Sequence, residues 1–448
     1  MTRVVTVAEG LYAPGHLGEL TRIVPFELVD AVLAECGGVQ QRLRKLPARV
    51  VVYLLLAAAL FEDCGYREVW RKLTGALVGL PLVEVTATAL WHARCRLGVR
   101  PVRALFDLLR GPASAIRTTG ARWKGLLVTA IDGTHLDVAD DQAVRAKLGK
   151  GSNQYTAASG YPQVMLVALV ACGTRAVIDA VFGPRKPGEA VLGRRLARSL
   201  TGGMIVLLDR GFSFDSFLTT VAGTGADFLA RLSSRRKPPV LATCPDGSFL
   251  SRIGDVEVRI VICEITIATS AGRRTGAYRL ATTLLDHRTH PAFDLVRLYH
   301  ERWEVESAYF EIKKSMLGRR VLRSRTWPGI AQEIYALLTA YQVIRIAIAD
   351  AAQASGTDPD RCSFSVALNA ARDQIVQAQG VIADTVIDLV GTIGHAVLGT
   401  LMPARRTRLG PRAVKRPLSR YAYKSLKVDR HTYKATVSID ILTSAPGP

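Results

Sequence analysis

The pattern of apolar and polar positions divides the chain into helical and strand-rich stretches. Over the first hundred residues the apolar positions recur with a helical period. Residues 25–34 predict a short helix. Pro47 opens a strongly apolar one over 49–61, where proline suits a first turn. Gly65 interrupts, 66–77 predict a shorter helix, and 86–97 a fourth, capped by Thr86 and stopped at Gly98. From Lys124 the pattern becomes that of buried strands. Residues 126–131 predict one strand ending at Asp132, then a Gly-Thr turn into a second. A polar loop is expected over 141–160. Apolar strands follow at 164–172 and 175–183, a helix at 189–200, and a strand from 204 with Asp209 at its carboxyl end. A helix at 214–222 and a strand at 226–232 complete this region. Between 235 and 286, a Pro-Asp-Gly turn, an alternating stretch at 256–269, a turn at 270–276 and a strand at 278–285 predict a small β-domain. Helices return at 330–352, 365–378 and 382–398.

Residues 295–317 contain neither glycine nor proline, so nothing in them breaks a helix. On a regular helix Tyr299, Arg302, Glu306 and Lys313 fall within an arc of roughly 60°. Leu298, Val305, Ala308, Ile312 and Met316 fall on a neighbouring arc that would face a core. The arrangement offers a carboxylate between two cations and a phenol. Taken alone, it also fits a solvated Arg–Glu pair, and strand-end aspartates also fit turn formers.

Composition narrows the field. The chain has 448 residues, enough for several modules, and 49% are hydrophobic, which argues for packed domains. Lys and Arg total 59 against 38 Asp and Glu, a net charge of +21, which favours a polyanionic partner and above all nucleic acid. Arg94 and Arg96, followed by Arg100 and Arg103, give the fourth helix a basic end suited to a DNA groove or to solvent. The longest apolar run, residues 50–61, is too short to span a bilayer, and no secretory signal pattern opens the chain, so no membrane role is expected. Seven scattered cysteines without a C-x-x-C read as reduced thiols of a cytoplasmic protein. Residues 405–427 carry nine Lys or Arg and no acid, with Tyr421, Tyr423 and Tyr433 nearby. They suit either a solvated tail or a backbone-tracking one.

The spacing Y-x-x-R-x-x-x-E-x-x-x-x-x-x-K, from Tyr299 to Lys313, resembles the Y-R-E-K signature of the insertion sequence 4 family of DDE transposases. D-G-T at Asp132 and D-R-G-F at Asp209 look like the blocks that carry that family's first two acids. The resemblance implies an α/β fold: an RNase H-like core with an inserted β-domain, preceded by an N-terminal helical domain and followed by C-terminal helices. The boundaries would be 1–120 for the N-terminal, DNA-binding helices, 121–234 and 291–350 for the core, 235–290 for the insert, and 351–448 for the C-terminal helices and basic tail. In such a core the strands ending at Asp132 and Asp209 are neighbours.

The resemblance further implies that Asp132, Asp209 and Glu306 are catalytic and hold two divalent metals. Three clustered carboxylates ionise together only with a cation, and oxygen donors suit Mg²⁺, for which Mn²⁺ would substitute. His135 is either a structural histidine or an extra ligand. Tyr299, Arg302, Trp303, Lys313 and Arg210 are the DNA-contact candidates, Trp303 either stacking on an extruded base or serving as core. The expected activity is cutting of element ends and joining to target DNA by a homodimer on double-stranded DNA, in the cytoplasm and associated with the nucleoid. A metal-dependent nuclease without strand transfer, or a catalytically silent DNA-binding protein, are the alternatives.

Overall fold

The structure is a computed structural model that describes residues 4–40, 42, 44–150, 160–270, 272–377, 390–404 and 436–443. The tail at 405–427 with Tyr421, Tyr423 and Tyr433, and the start of the helix expected at 382–398, lie outside the described residues.

In chain order, β1 (Val4–Thr6) and β2 (Tyr12–Pro14) precede five helices: α1 (Phe26–Glu35), α2 (Ala48–Leu60), α3 (Tyr66–Thr74), α4 (Ala87–Leu97) and α5 (Arg100–Leu109). A mixed stretch follows, with β3 (Arg122–Trp123), β4 (Leu126–Asp137), α6 (Gln142–Leu148), β5 (Gln163–Ala171) and β6 (Val177–Gly183). It continues through α7 (Glu189–Arg194), β7 (Met204–Leu208), α8 (Asp215–Ala222) and β8 (Asp227–Arg231). Four strands come next: β9 (Ala242–Thr243), β10 (Phe249–Ile253), β11 (Val256–Thr269) and β12 (Gly272–Thr282). The chain returns to helix in α9 (Ala292–Tyr299), α10 (Trp303–Phe310), α11 (Trp327–Ala354), α12 (Phe364–Val376) and α13 (Gly391–Leu398), and β13 (Thr436–Ile441) follows.

These elements form two compact units. The first takes the chain up to Arg122, Asp132–Leu196 and Glu304–Pro403; the second takes Trp123–Ile131, Ala197–Trp303 and the chain from Ala404 on.

The first unit is built round two largely buried helices, α2, which is apolar on nearly all sides, and α11, which also buries a few paired polar groups. In α2 every residue but Arg49 is buried. α11 packs on α2, α5 and α13. It is long and apolar enough to cross a membrane, yet 78% of its most apolar window is buried inside the protein, as in a core helix. β5 and β6 form an antiparallel hairpin in the same unit. A buried ion cluster ties these pieces together. Arg175, 3% exposed, bonds Glu304, Glu311 and Asp360, and Glu311 in turn binds Arg345 and the Tyr341 hydroxyl.

The second unit is a large mixed sheet in the order β4-β7-β8-β12-β11-β10-β9, with β13 added on β11. β4, β7 and β8 run parallel, with Leu127 opposite Met204 and Ile131 opposite Leu208. The strands of the expected insert do not fold apart from it. β12 pairs antiparallel with β8, Leu280 opposite Arg231, so the sheet runs on without a break.

Several expectations need correction. β4 is one strand through Asp132 to Asp137, because Leu136 and Val138 keep burying apolar side chains beyond the Asp-Gly-Thr. Part of the expected 141–160 loop is the helix α6, capped by the Asp141 carboxylate. The turn expected at 270–276 is tighter, since β12 starts at Gly272. α5 and β13 were not foreseen. Residues 295–317 are not one regular helix: α9 ends at Tyr299, a 3₁₀ turn covers His300–Arg302, and α10 passes into a π-helical segment, Glu311–Met316. The core-facing set nevertheless holds, with Leu298, Val305, Ala308, Ile312 and Met316 all buried. Arg94 is no groove-reading residue. It is buried over the Tyr66 ring and bonds the Ser324 hydroxyl, with Glu333 as its ion partner.

Arg175→Ala is expected to remove an ion partner from three buried acids at once. Breaking a buried pair costs about 3–5 kcal/mol, so the urea midpoint should fall steeply. Arg175→Lys should recover little, because one ammonium cannot reproduce the fork of contacts. An unchanged midpoint for Arg175→Ala would show that the cluster does not hold the unit.

Candidate active site

Within the first unit a cleft of about 600 Å³ gathers Asp132, Thr134, His135, Glu306, Tyr309 and Lys313, with Lys314, Arg319 and Arg320 at its margin. Three carboxylates, Asp132, Asp137 and Glu306, therefore share one cavity with two hydroxyls and several cations. Asp132 and Glu306 are both half-buried.

Each side chain has a local cause for its position. Glu306 sits in α10 between Glu304 and Glu311, which are both held by Arg175 beneath. Those two bonds fix the rotation of the helix and so turn Glu306 to the cleft. Tyr309, one turn further on, is buried and pins β4: its hydroxyl donates to the Asp132 carbonyl at 2.5 Å and accepts from the Ala168 N–H of β5 at 3.0 Å. Burial, and next the charge of Asp132, push the Tyr309 hydroxyl well above its ordinary pKa, so it remains a donor. Lys313 Nζ donates to Thr134 Oγ1 at 3.2 Å. It does so from the π-helical segment, whose wider turn shifts the register of Lys313 against Glu306 relative to a regular helix. Glu189, at the start of α7, lies over Gly133: a methyl group there would come within 2.2 Å of Glu189 Oε1, so that side chain would have to swing aside. His135 lies in the cleft wall with its Nε2 buried and without a hydrogen bond. Burial, then Arg185 and Lys313, hold its pKa below the ordinary value, so the ring is neutral near pH 7.

In the second unit Asp209 follows β7 directly and begins a 3₁₀ turn, its Oδ1 accepting from the Arg210 N–H at 2.6 Å. The turn-forming role of a strand-end aspartate is thus present, and it occupies one carboxylate oxygen. Ile131 and Leu208 are register partners on parallel strands, and Asp132 and Asp209 are the residues that follow them. Tyr299 is buried and donates its hydroxyl to the Leu208 carbonyl at 3.2 Å, which makes it a clamp on the strand that carries Asp209. Burial pushes its hydroxyl pKa up. Arg302 is buried beside the Trp303 ring, 5.3 Å from its centroid, while Trp303 is 36% exposed. Arg210 is exposed.

The donor set suits a hard divalent cation: carboxylates with a hydroxyl nearby, and no cysteine in the cleft. Among the described residues no three acids, histidines or cysteines stand close enough to grip an ion as they are.

The chain matches two family models, Insertion element 4 transposase N-terminal over residues 14–107 and Transposase DDE domain over residues 123–343. It is 26% identical over 408 residues to Transposase InsG for insertion sequence element IS4 of Escherichia coli (strain K12), covering 87% of this chain and 90% of the relative. The chain belongs to the insertion sequence 4 family of DDE transposases. A solved structure, the piggyBac transposase synaptic complex with hairpin DNA, aligns at a TM-score of 0.43 and 10% identity over 84% of each chain. As a DDE transposase the protein acts on DNA and depends on a divalent metal. The matched DDE region contains both aspartate blocks and the whole Tyr299–Lys313 stretch.

The transposase's sequence did not point to Tyr309 or Arg175. An aromatic at helical spacing reads as core, and nothing local marks an arginine whose partners lie 129 to 185 residues away. Tyr309→Phe should remove one hydrogen bond from the Asp132 carbonyl and one from the Ala168 N–H, at a cost of about 1–3 kcal/mol. Urea unfolding should register the loss. An unchanged midpoint would mean that the hydroxyl does not secure the strand.

Proposed function

We propose that Asp132, Asp209 and Glu306 together form the metal-binding and catalytic acids of the transposase, with Mg²⁺ as the natural ion and Mn²⁺ able to replace it. The observation that carries this reading is the strand register. Ile131 faces Leu208 on parallel neighbours, and each strand continues into an aspartate. Glu306 shares its cleft with the first of them. Bound there, the cations would supply Lewis-acid activation of the attacking oxygen and charge stabilisation at the leaving oxygen of an in-line phosphoryl transfer.

The chain's own residues account for the rest. Asp132, Asp209 and Glu306 donate carboxylate oxygens from two strands and a helix, rigid supports that limit reorganisation. Lys313, already turned toward Thr134, and Arg302 bind phosphate near the scissile bond. Arg210 meets the backbone from the exposed turn after Asp209. Tyr299 and Tyr309 act as positioning residues, each clamping the end of an acid-bearing strand through a backbone carbonyl. Trp303, in part exposed beside Arg302, is placed to stack on an unpaired base.

The protein cuts the ends of its element and joins them to target DNA, on the nucleoid, as a homodimer that bridges two ends. Those ends are gripped by the N-terminal helices. The core is RNase H-like, a reading supported by the parallel run β4-β7-β8 and by the antiparallel hairpin β5-β6 that follows β4 in the chain.

Asp132→Asn, Asp209→Asn and Glu306→Gln should each reduce Mg²⁺-dependent cleavage of a labelled end duplex by more than about a hundredfold, beyond the usual cost of losing an outer-shell partner. DNA binding should survive. Calorimetry should show divalent-ion binding lost in the same variants. Metal-dependent cutting retained in both aspartate variants would sink the assignment, and cutting without joined products would reassign the protein as a nuclease.

A further inference from the structure

A second cavity, of about 510 Å³, lies in the first unit beside α4 and the start of α11. It shares no lining residue with the acidic cleft. Its size is that of ordinary ligand pockets. Arg94, Arg323 and Arg325 line it, and no carboxylate does.

The three arginines differ in what they have left to offer. Arg323 spends its guanidinium on the carbonyls of Ala58, Phe61 and Cys64 at the end of α2. Arg94 is 8% exposed and holds Ser324 and Glu333 with Nη2, but its buried Nε has no hydrogen-bond partner. Arg325 is exposed and makes no hydrogen bond or ion pair with the described residues. The nearby acid, Glu333, is committed to Arg94, Ser324, Tyr66 and the Arg323 N–H, so it cannot neutralise Arg325. The cavity also meets the first turn of α11, a helix of 28 residues, whose partial positive charge adds to the same field.

Beside this cationic wall stands an apolar one. Trp91 is 52% exposed, and its ring contact is edge-on with His92, centroids 4.7 Å apart, which leaves an indole face open. An exposed tryptophan face next to a cationic pocket without acids matches one repeating unit of a nucleic acid strand, phosphate on one side and base or sugar on the other.

We propose that this cavity holds one nucleotide unit of the bound DNA, its phosphate at Arg325 and the start of α11, its base or sugar against Trp91. The inference rests on the reading of the protein as a DNA transposase. It moves the grip of α4 from the buried Arg94 to the exposed Trp91 one turn before it in the same cavity wall, and it contributes affinity without reading sequence.

Fluorescence anisotropy with a generic labelled duplex, at several salt concentrations, tests it in the full-length chain. Arg325→Ala should lower the slope of log affinity against log salt by about 1, as expected for one lost phosphate contact. Trp91→Ala should weaken binding roughly five- to a hundredfold at unchanged slope, as loss of a stacking platform does. Trp91→Phe should restore most of it. Wild-type binding matched in strength and slope by Arg325→Ala and Trp91→Ala would overturn the proposal and leave the transposase reading intact. A wild-type protein that binds no DNA at low salt would overturn both.

Discussion

A single buried guanidinium organises the face of the first unit that carries the candidate site. Arg175 lies at the turn between β5 and β6 and reaches acids from three other segments, Glu304, Glu311 and Asp360. Burying so much charge is tolerable only when every member is paired, because an uncompensated ion in a dry interior is far costlier than a lost contact. The pairing is therefore close to all-or-none. Glu304 and Glu311 bracket Glu306, so once they are seated the helix can present Glu306 in one orientation only. The surface carboxylate inherits its direction from two buried ones.

The same logic recurs with neutral groups. Tyr309 and Tyr299 are buried phenols whose hydroxyls close on backbone carbonyls, of Asp132 in one unit and Leu208 in the other. Each fixes the backbone at or beside a proposed metal ligand, and neither needs to touch a substrate. Charge and hydrogen bonding beneath the surface set the geometry in which the half-buried candidate acids are held.

Much of this was legible in the chain. Apolar runs located α2 and α11, β-branched alternation located β11 to the residue, and the Thr86 cap and Gly98 stop located α4. The candidate acids could be proposed from the chain because their blocks are local. What escaped notice depends on distance or on deviation from ideal geometry. Arg175 cannot be recognised from its neighbours, since its partners are far away in sequence. The 3₁₀ turn and π-helical segment carry no glycine or proline to announce them, so a uniform 100° step put Tyr299 and Arg302 on an open face when both are buried. Arg94 looked like a surface cation because the ring and carboxylate that bury it come from Tyr66 and Glu333.

The hydrogen bonding of β12 to β8 has a consequence for how the family's chains can vary. Residues between β8 and α9 look like a detachable module, yet their last strand covers what would otherwise be an open edge of the acid-bearing sheet. A chain shortened there would expose the N–H and C=O groups of β8 to any passing strand, the arrangement that promotes edge-to-edge association. Loss of β12 would therefore uncover the sheet right beside the strands that carry the aspartates. The insert behaves less like an added domain than like a hem, which cannot be cut away at the seam.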